Sequence, residues 1–132
     1  MSEKIYTETE ARQLPPLALA YIGDSVFELY VREKILLEDQ TNKVHTLHQK
    51  AIRIVNAKSQ AVFLEAVMPQ LTEAERYIVQ RGKNAKPHSV PKNADILDYK
   101  NATAFEALVG FLYLTGNRER LFELLACTAE RF

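Results

Sequence analysis

The sequence predicts an all-α fold in a single domain, and three observations carry that prediction. Apolar residues recur at spacings of three and four along most of the chain, the period of a helix buried on one side. Thr7-Glu8-Thr9-Glu10 and Thr72-Glu73-Ala74-Glu75 are capping boxes, in which a Thr hydroxyl and a Glu carboxylate satisfy backbone groups that the first turn leaves free. Four glycines and five prolines in 132 residues are too few for a chain of many short strands and turns. That length suits one domain, 1–132, with no repeat, low-complexity tract or internal boundary.

Residues 1–13 form a polar N-terminal segment around the first capping box. Pro15-Pro16 then interrupts the chain before a long helix, Leu17 to Leu37. Tyr21, Val26, Leu29, Tyr30 and Ile35 cover most of its circumference with apolar surface, so it is predicted to be central. A second helix runs from Val44 to Val67 and stops before Pro69. The box at Thr72 opens a third, which ends near Gly82. Residues 83–98 hold two prolines, a histidine and two asparagines with little periodicity, and read as a long loop, functional or disordered. Asn101 to Leu114 and Arg118 to Arg131 complete the set, divided by Gly116-Asn117.

Composition narrows the function. Apolar residues at 47% and charged residues at 26% are ordinary for a soluble globular protein. The start of the chain lacks the apolar core of a secretory signal, and no apolar run is long enough to span a bilayer, so a cytoplasmic protein without a membrane role is expected. The single cysteine, Cys127, excludes an internal disulfide and reads as a structural thiol. His45 and His48 have no third ligand at helical spacing and read as exposed helix residues.

Seventeen basic and seventeen acidic residues cancel, but they are unevenly placed. Residues 1–39 carry eight acids and four bases. Residues 43–64 carry Lys43, Lys50, Arg53 and Lys58 without an acid, and residues 76–92 carry Arg76, Arg81, Lys83, Lys86 and Lys92, again without one. These stretches are either one phosphate-binding face or two solvated helix surfaces.

Two segments place a carboxylate inside an apolar helix beside a glycine: Ile22-Gly23-Asp24-Ser25-Val26 and Phe105-Glu106-Ala107-Leu108-Val109-Gly110. Acids are rarely buried unless paired or ligating. Asp24 and Glu106 therefore either converge on one hard divalent cation, for which oxygen ligands are suited, or face solvent separately.

Those two segments, in that order and separation, resemble the signature helices of the ribonuclease III family. Arg81-Gly82-Lys83-Asn84-Ala85-Lys86, Val90-Pro91-Lys92-Asn93-Ala94-Asp95 and the absence of room for a double-stranded-RNA-binding domain resemble its short branch, the Mini-ribonuclease III subgroup. The resemblance covers residues 14–132. It implies a single helical endonuclease domain, a homodimer, and a Mg²⁺-dependent endoribonuclease, with Mn²⁺ as a substitute. The implied reaction is cleavage of double-stranded RNA, not DNA, to 5′-phosphate and 3′-hydroxyl ends. The implied substrate is the 23S ribosomal RNA precursor, with room for a ribosomal protein as partner.

The family usually supplies four carboxylates per site, whereas the positions four before Asp24 and three before Glu106 are Ala20 and Thr103. Asp24 and Glu106 are thus expected to be the catalytic, metal-binding pair, with Thr103 supporting through a metal-bound water. The loop 83–98 is expected to grip RNA through Arg81, Lys83, Asn84, Lys86, Lys92 and Asn93, aided by Lys50 and Lys58. A catalytically silent RNA- or ribosome-binding module is the alternative, since it would also lack ligands; a helical protein-interaction domain is a third.

Overall fold

The computed structural model describes residues 2–86, 89–90 and 92–132, so Pro87, His88 and Pro91 of the predicted loop, and Met1, lie outside the described residues. The described residues contain seven α-helices, one 3₁₀ turn and no strand. The helices are α1 (Glu8–Gln13), α2 (Pro16–Glu38), α3 (Val44–Val55), α4 (Ala57–Val67), α5 (Glu73–Asn84), α6 (Ile96–Leu114) and α7 (Arg118–Ala129). Both predicted capping boxes form, at the starts of α1 and α5.

α6 is the axis of the molecule: ten of its residues, Ala102–Phe105 and Ala107–Leu112, are buried, and α2, α4 and α5 pack around it. The sequence pattern assigns that place to α2, but α2 leaves Tyr21, Leu29, Leu36 and Leu37 exposed and turns one side to α6. α3 lies on α2, and α7 closes against α4 and α6. The N-terminal segment is tied down as well, because the Tyr6 N–H donates to the Leu114 carbonyl at 2.8 Å and Ala11 is fully buried.

Phe27, Phe63 and Phe105 interlock where α2, α4 and α6 meet, with Phe27 edge-on to Phe105 at 5.1 Å between centroids. Aromatic contacts of this kind prefer defined offsets, so they help to set how the three helices are aligned.

Two element boundaries differ from the sequence expectation. The predicted helix 44–67 is two helices, because Asn56 adopts an extended conformation (ψ 162°) and caps α4 by accepting from the Ser59 N–H at 2.9 Å. Its amide also donates to the Ile52 and Arg53 carbonyls that end α3. The last long helix starts at Ile96, not Asn101, because Asp95 caps it by accepting from the Leu97 and Asp98 N–H groups. The loop of 83–98 is correspondingly shorter: 83–84 belong to α5 and 96–98 to α6. No helix among the described residues is long and apolar enough to cross a membrane.

Candidate active site

Asp24 and Glu106 are brought together by the glycines beside them. A methyl group on Gly23 would strike the Glu106 carbonyl oxygen, and one on Gly110 would strike the Leu19 carbonyl oxygen. The backbones of α2 and α6 therefore touch at this crossing, which only glycine permits at both positions. Phe27 sits one turn beyond Asp24 and Phe105 immediately before Glu106, so the aromatic cluster anchors both helices next to the acids.

The Asp24 and Glu106 side chains are within hydrogen-bonding reach of each other. Burial, then the hydrogen bond to Asp24 and its charge, push the Glu106 carboxyl up to about 9, while the Gln60 amide acts in the opposite direction. Two carboxyls in contact hold one proton between them or need a counter-charge. A hard divalent cation supplies that charge, and paired carboxylate oxygens are the donor set it takes, so the residues present fit one. Among the described residues no cluster of three or more His, Cys, Asp or Glu side chains gathers, so the ion's remaining ligands would be mostly water.

Ala20 and Thr103, where the resemblance led to further acids being expected, are both buried. Ala20 packs in the core and offers no donor atom. Thr103 is 7% exposed and its hydroxyl donates to the Tyr99 carbonyl at 3.0 Å, leaving only its lone pairs to accept from a water.

Gln60 is the residue that sequence reasoning missed. It is 2% exposed on α4, its amide donates to the Val55 carbonyl at 3.0 Å, and it lowers the Glu106 carboxyl against the stronger upward push of burial and Asp24. The signal available was Asn56, whose N-cap chemistry marks the start of α4 four residues before Gln60.

The basic residues divide into two groups. Lys50 donates to the buried Asp39 carboxylate at 2.7 Å, which with Thr41 holds that carboxyl well below its usual range and closes the connection from α2 to α3. Arg81 donates to the Arg12 and Leu14 carbonyls and lies over the Tyr77 ring, tying α5 to the N-terminal segment. Both cations already have partners in the fold, which weakens their expected part on an RNA face. Lys58, Lys86, Lys92 and Asn93 are exposed, Lys83 is half-buried at the end of α5, and Asn84 accepts from Gln80 at 3.4 Å. Among the described residues Lys58, Lys83, Lys86 and Lys92 form no ion pair. His45 and His48 are exposed on α3, and Cys127 is half-buried against Gln70 and the Ala66 carbonyl.

Comparison with known proteins agrees with this architecture. Residues 17–117 match the family model described as the Ribonuclease III domain. Over 117 residues the chain is 52% identical to a protein of Symbiobacterium thermophilum named Mini-ribonuclease 3, covering 89% of each. A protein of the same name from Enterococcus faecalis is 46% identical over 86% of this chain and 87% of its own. The crystal structure of a Fusobacterium nucleatum protein superposes with a TM-score of 0.82 at 29% identity, covering 95% of this chain and 98% of that one.

Proposed function

Because the chain belongs to the ribonuclease III family of RNA-cleaving endoribonucleases, we propose that it is a Mg²⁺-dependent enzyme that cuts double-stranded RNA. In this reading the products carry 5′-phosphate and 3′-hydroxyl ends, and the substrate is the 23S ribosomal RNA precursor in the cytoplasm. The observation that carries it is the contact of Asp24 and Glu106 at the glycine crossing. Asp24 and Glu106 would hold the ion, with Thr103 accepting from one of its waters. Bound there, a divalent cation supplies positive charge to the scissile phosphate and lowers the pKa of the attacking water. Mn²⁺ would serve in its place.

The protein's own part is to keep two oxygens in register on α2 and α6 and to hold the duplex over them. A-form RNA offers phosphates and 2′-hydroxyls, for which ammonium and amide groups are matched. Lys58, Lys83, Lys86 and Lys92, with Asn84 and Asn93, are assigned that role; Lys50 and Arg81 contribute less because of their contacts within the fold.

A homodimer is part of the proposal. Tyr21 is 77% exposed and Leu29 51% exposed on α2, and Leu29 lines a groove of about 230 Å³ with Phe122 of α7. Exposed apolar surface of this kind is characteristic of an interaction face, and a second copy of α2 would cover it.

The test is incubation of defined duplexes and matched single strands with Mg²⁺, Mn²⁺ or EDTA, with the ends mapped. Metal-dependent cutting of duplexes alone, absent in Asp24→Asn, is expected. Salt-sensitive binding without cutting would favour the silent module, a reading supported by the loss of two of the family's four acids at Ala20 and Thr103.

A further inference from the structure

The chain has eight arginines, and the fold employs six of them. Arg12, Arg32 and Arg120 pair with Glu8, Glu28 and Glu75, Arg76 and Arg81 donate to backbone carbonyls, and Arg118 lies over the Tyr113 ring. The guanidiniums of Arg53 and Arg131 have no hydrogen-bond, ion-pair or ring partner among the described residues. Yet these two, from the last turn of α3 and from the chain just past α7, line one cavity of about 150 Å³. No acidic side chain lines it. Glu65 borders the neighbouring hollow with Arg131 but is not paired with it.

Both arginines stand on fixed backbone. The Arg53 carbonyl accepts from Asn56 Nδ2 at 2.9 Å and from the Ser59 hydroxyl at 3.0 Å, and Ser59 lines the cavity too. The Arg131 N–H donates to the Thr128 carbonyl at 2.9 Å, and the next ring, Phe132, packs on Phe63 at 5.5 Å between centroids. Phe63, in the cavity wall, also packs on Phe27 and Phe105, the neighbours of Asp24 and Glu106. Two guanidiniums facing one cavity repel unless an anion lies between them, and their planar forks match phosphate oxygens. Both side chains are exposed, which suits a phosphate that arrives on a polymer rather than an enclosed ion. We propose that Arg53 and Arg131 clamp one backbone phosphate of the duplex that lies over the acid pair. A-form RNA presents its phosphates to such a reader. This inference deepens the reading of the chain as a duplex-RNA enzyme and rests on it.

The experiment measures binding of a defined RNA duplex to the intact chain in EDTA, by fluorescence anisotropy at several salt concentrations. Arg53→Gln, Arg131→Gln and the double variant are compared with the wild type. Neither guanidinium is bonded within the fold, so all three variants should melt as the wild type does. Each single variant is expected to weaken binding by about tenfold. The double variant should be little weaker than either, because the same phosphate is lost only once. Its slope of log affinity against log salt should be smaller by about one unit. Additive losses with a slope smaller by about two units would make the arginines separate surface charges and overturn the shared site. A second arm follows the ³¹P linewidth of inorganic phosphate. Broadening by the wild type but not by the double variant, with equal RNA binding in both, would assign the cavity to free phosphate and overturn the RNA assignment. If the wild type binds the duplex and the double variant binds it equally well with the same slope, this inference alone fails. If the wild type binds no duplex, the RNA reading of the chain fails and this inference with it.

Discussion

Glu106 pressed against Asp24 keeps a proton that an ordinary glutamate has lost, and the consequence for stability has a definite sign. Its folded-state value is about 9 against 4.5 for the free side chain. The folded state therefore binds more protons than the unfolded one between those values. Its contribution is full below about 4.5 and declines as the pH rises towards 9. In EDTA, the melting temperature should fall from pH 5 to pH 9, and Glu106→Gln should flatten that fall. Saturating Mg²⁺ should flatten it too, because the ion replaces the proton. Asp39 and Glu75 act at the opposite end. For Glu75, burial raises the carboxyl but hydrogen bonds from Arg120 and Thr72 outweigh it, so both acids lie below their usual range. Their stabilisation is present at neutral pH and lost only on acidification, outside the Glu106 window. For activity, Asp24→Asn and Glu106→Gln should each leave less than about a tenth of the wild-type cleavage rate with the fold intact. Restoring an acid with Thr103→Asp should lower the Mg²⁺ concentration for half-maximal cleavage, since each carboxylate adds a ligand and a charge. A folded Thr103→Asp with an unchanged Mg²⁺ requirement would show that residue 103 faces away from the ion.

Helices transmit these side-chain effects through where they touch. α2 and α6 meet backbone to backbone at Gly23 and Gly110, so an added methyl cannot be absorbed by a rotamer change. Gly23→Ala and Gly110→Ala should each cost about 1–3 kcal/mol or more through overpacking. They should also lose more activity than stability, because the helices must separate where the acids meet. Cleavage assayed well below each variant's melting temperature distinguishes the two effects. The end of α5 and the chain after it carry Lys83, Lys86 and Lys92. Replacing all three by Ala should reduce the slope of log RNA affinity against log salt by roughly two to three units if each contacts a phosphate. An unchanged slope would move the RNA face towards Lys58.

The protein as a whole has an α6 enclosed by its neighbours and an α2 that is only half covered. That asymmetry accounts for an apolar α2 that the pattern of its residues would place at the centre. A second copy would bury the same side, and a two-fold arrangement satisfies both copies with one surface. Sedimentation should find a dimer for the wild type and a folded monomer for Leu29→Arg, because Leu29 is exposed and its replacement spares the core. A persistent dimer in Leu29→Arg would place the interface elsewhere.

Sequence alone determined the helical class, the two capped starts, the order of the main helices and the pairing of each key acid with a glycine. These are local properties: periodicity, capping and residue size act over a few positions and can be read from them. Only the tertiary structure decided that Gly23 and Gly110 meet, that Glu106 is buried beside Asp24, and that Lys50 and Arg81 are engaged by Asp39 and by backbone carbonyls. Each of these joins residues far apart in the chain, which local pattern does not encode. The split at Asn56 lies between the two cases. Its capping chemistry is local, yet its effect, letting α3 pack on α2 while α4 packs on α6, exists only once the helices have packed.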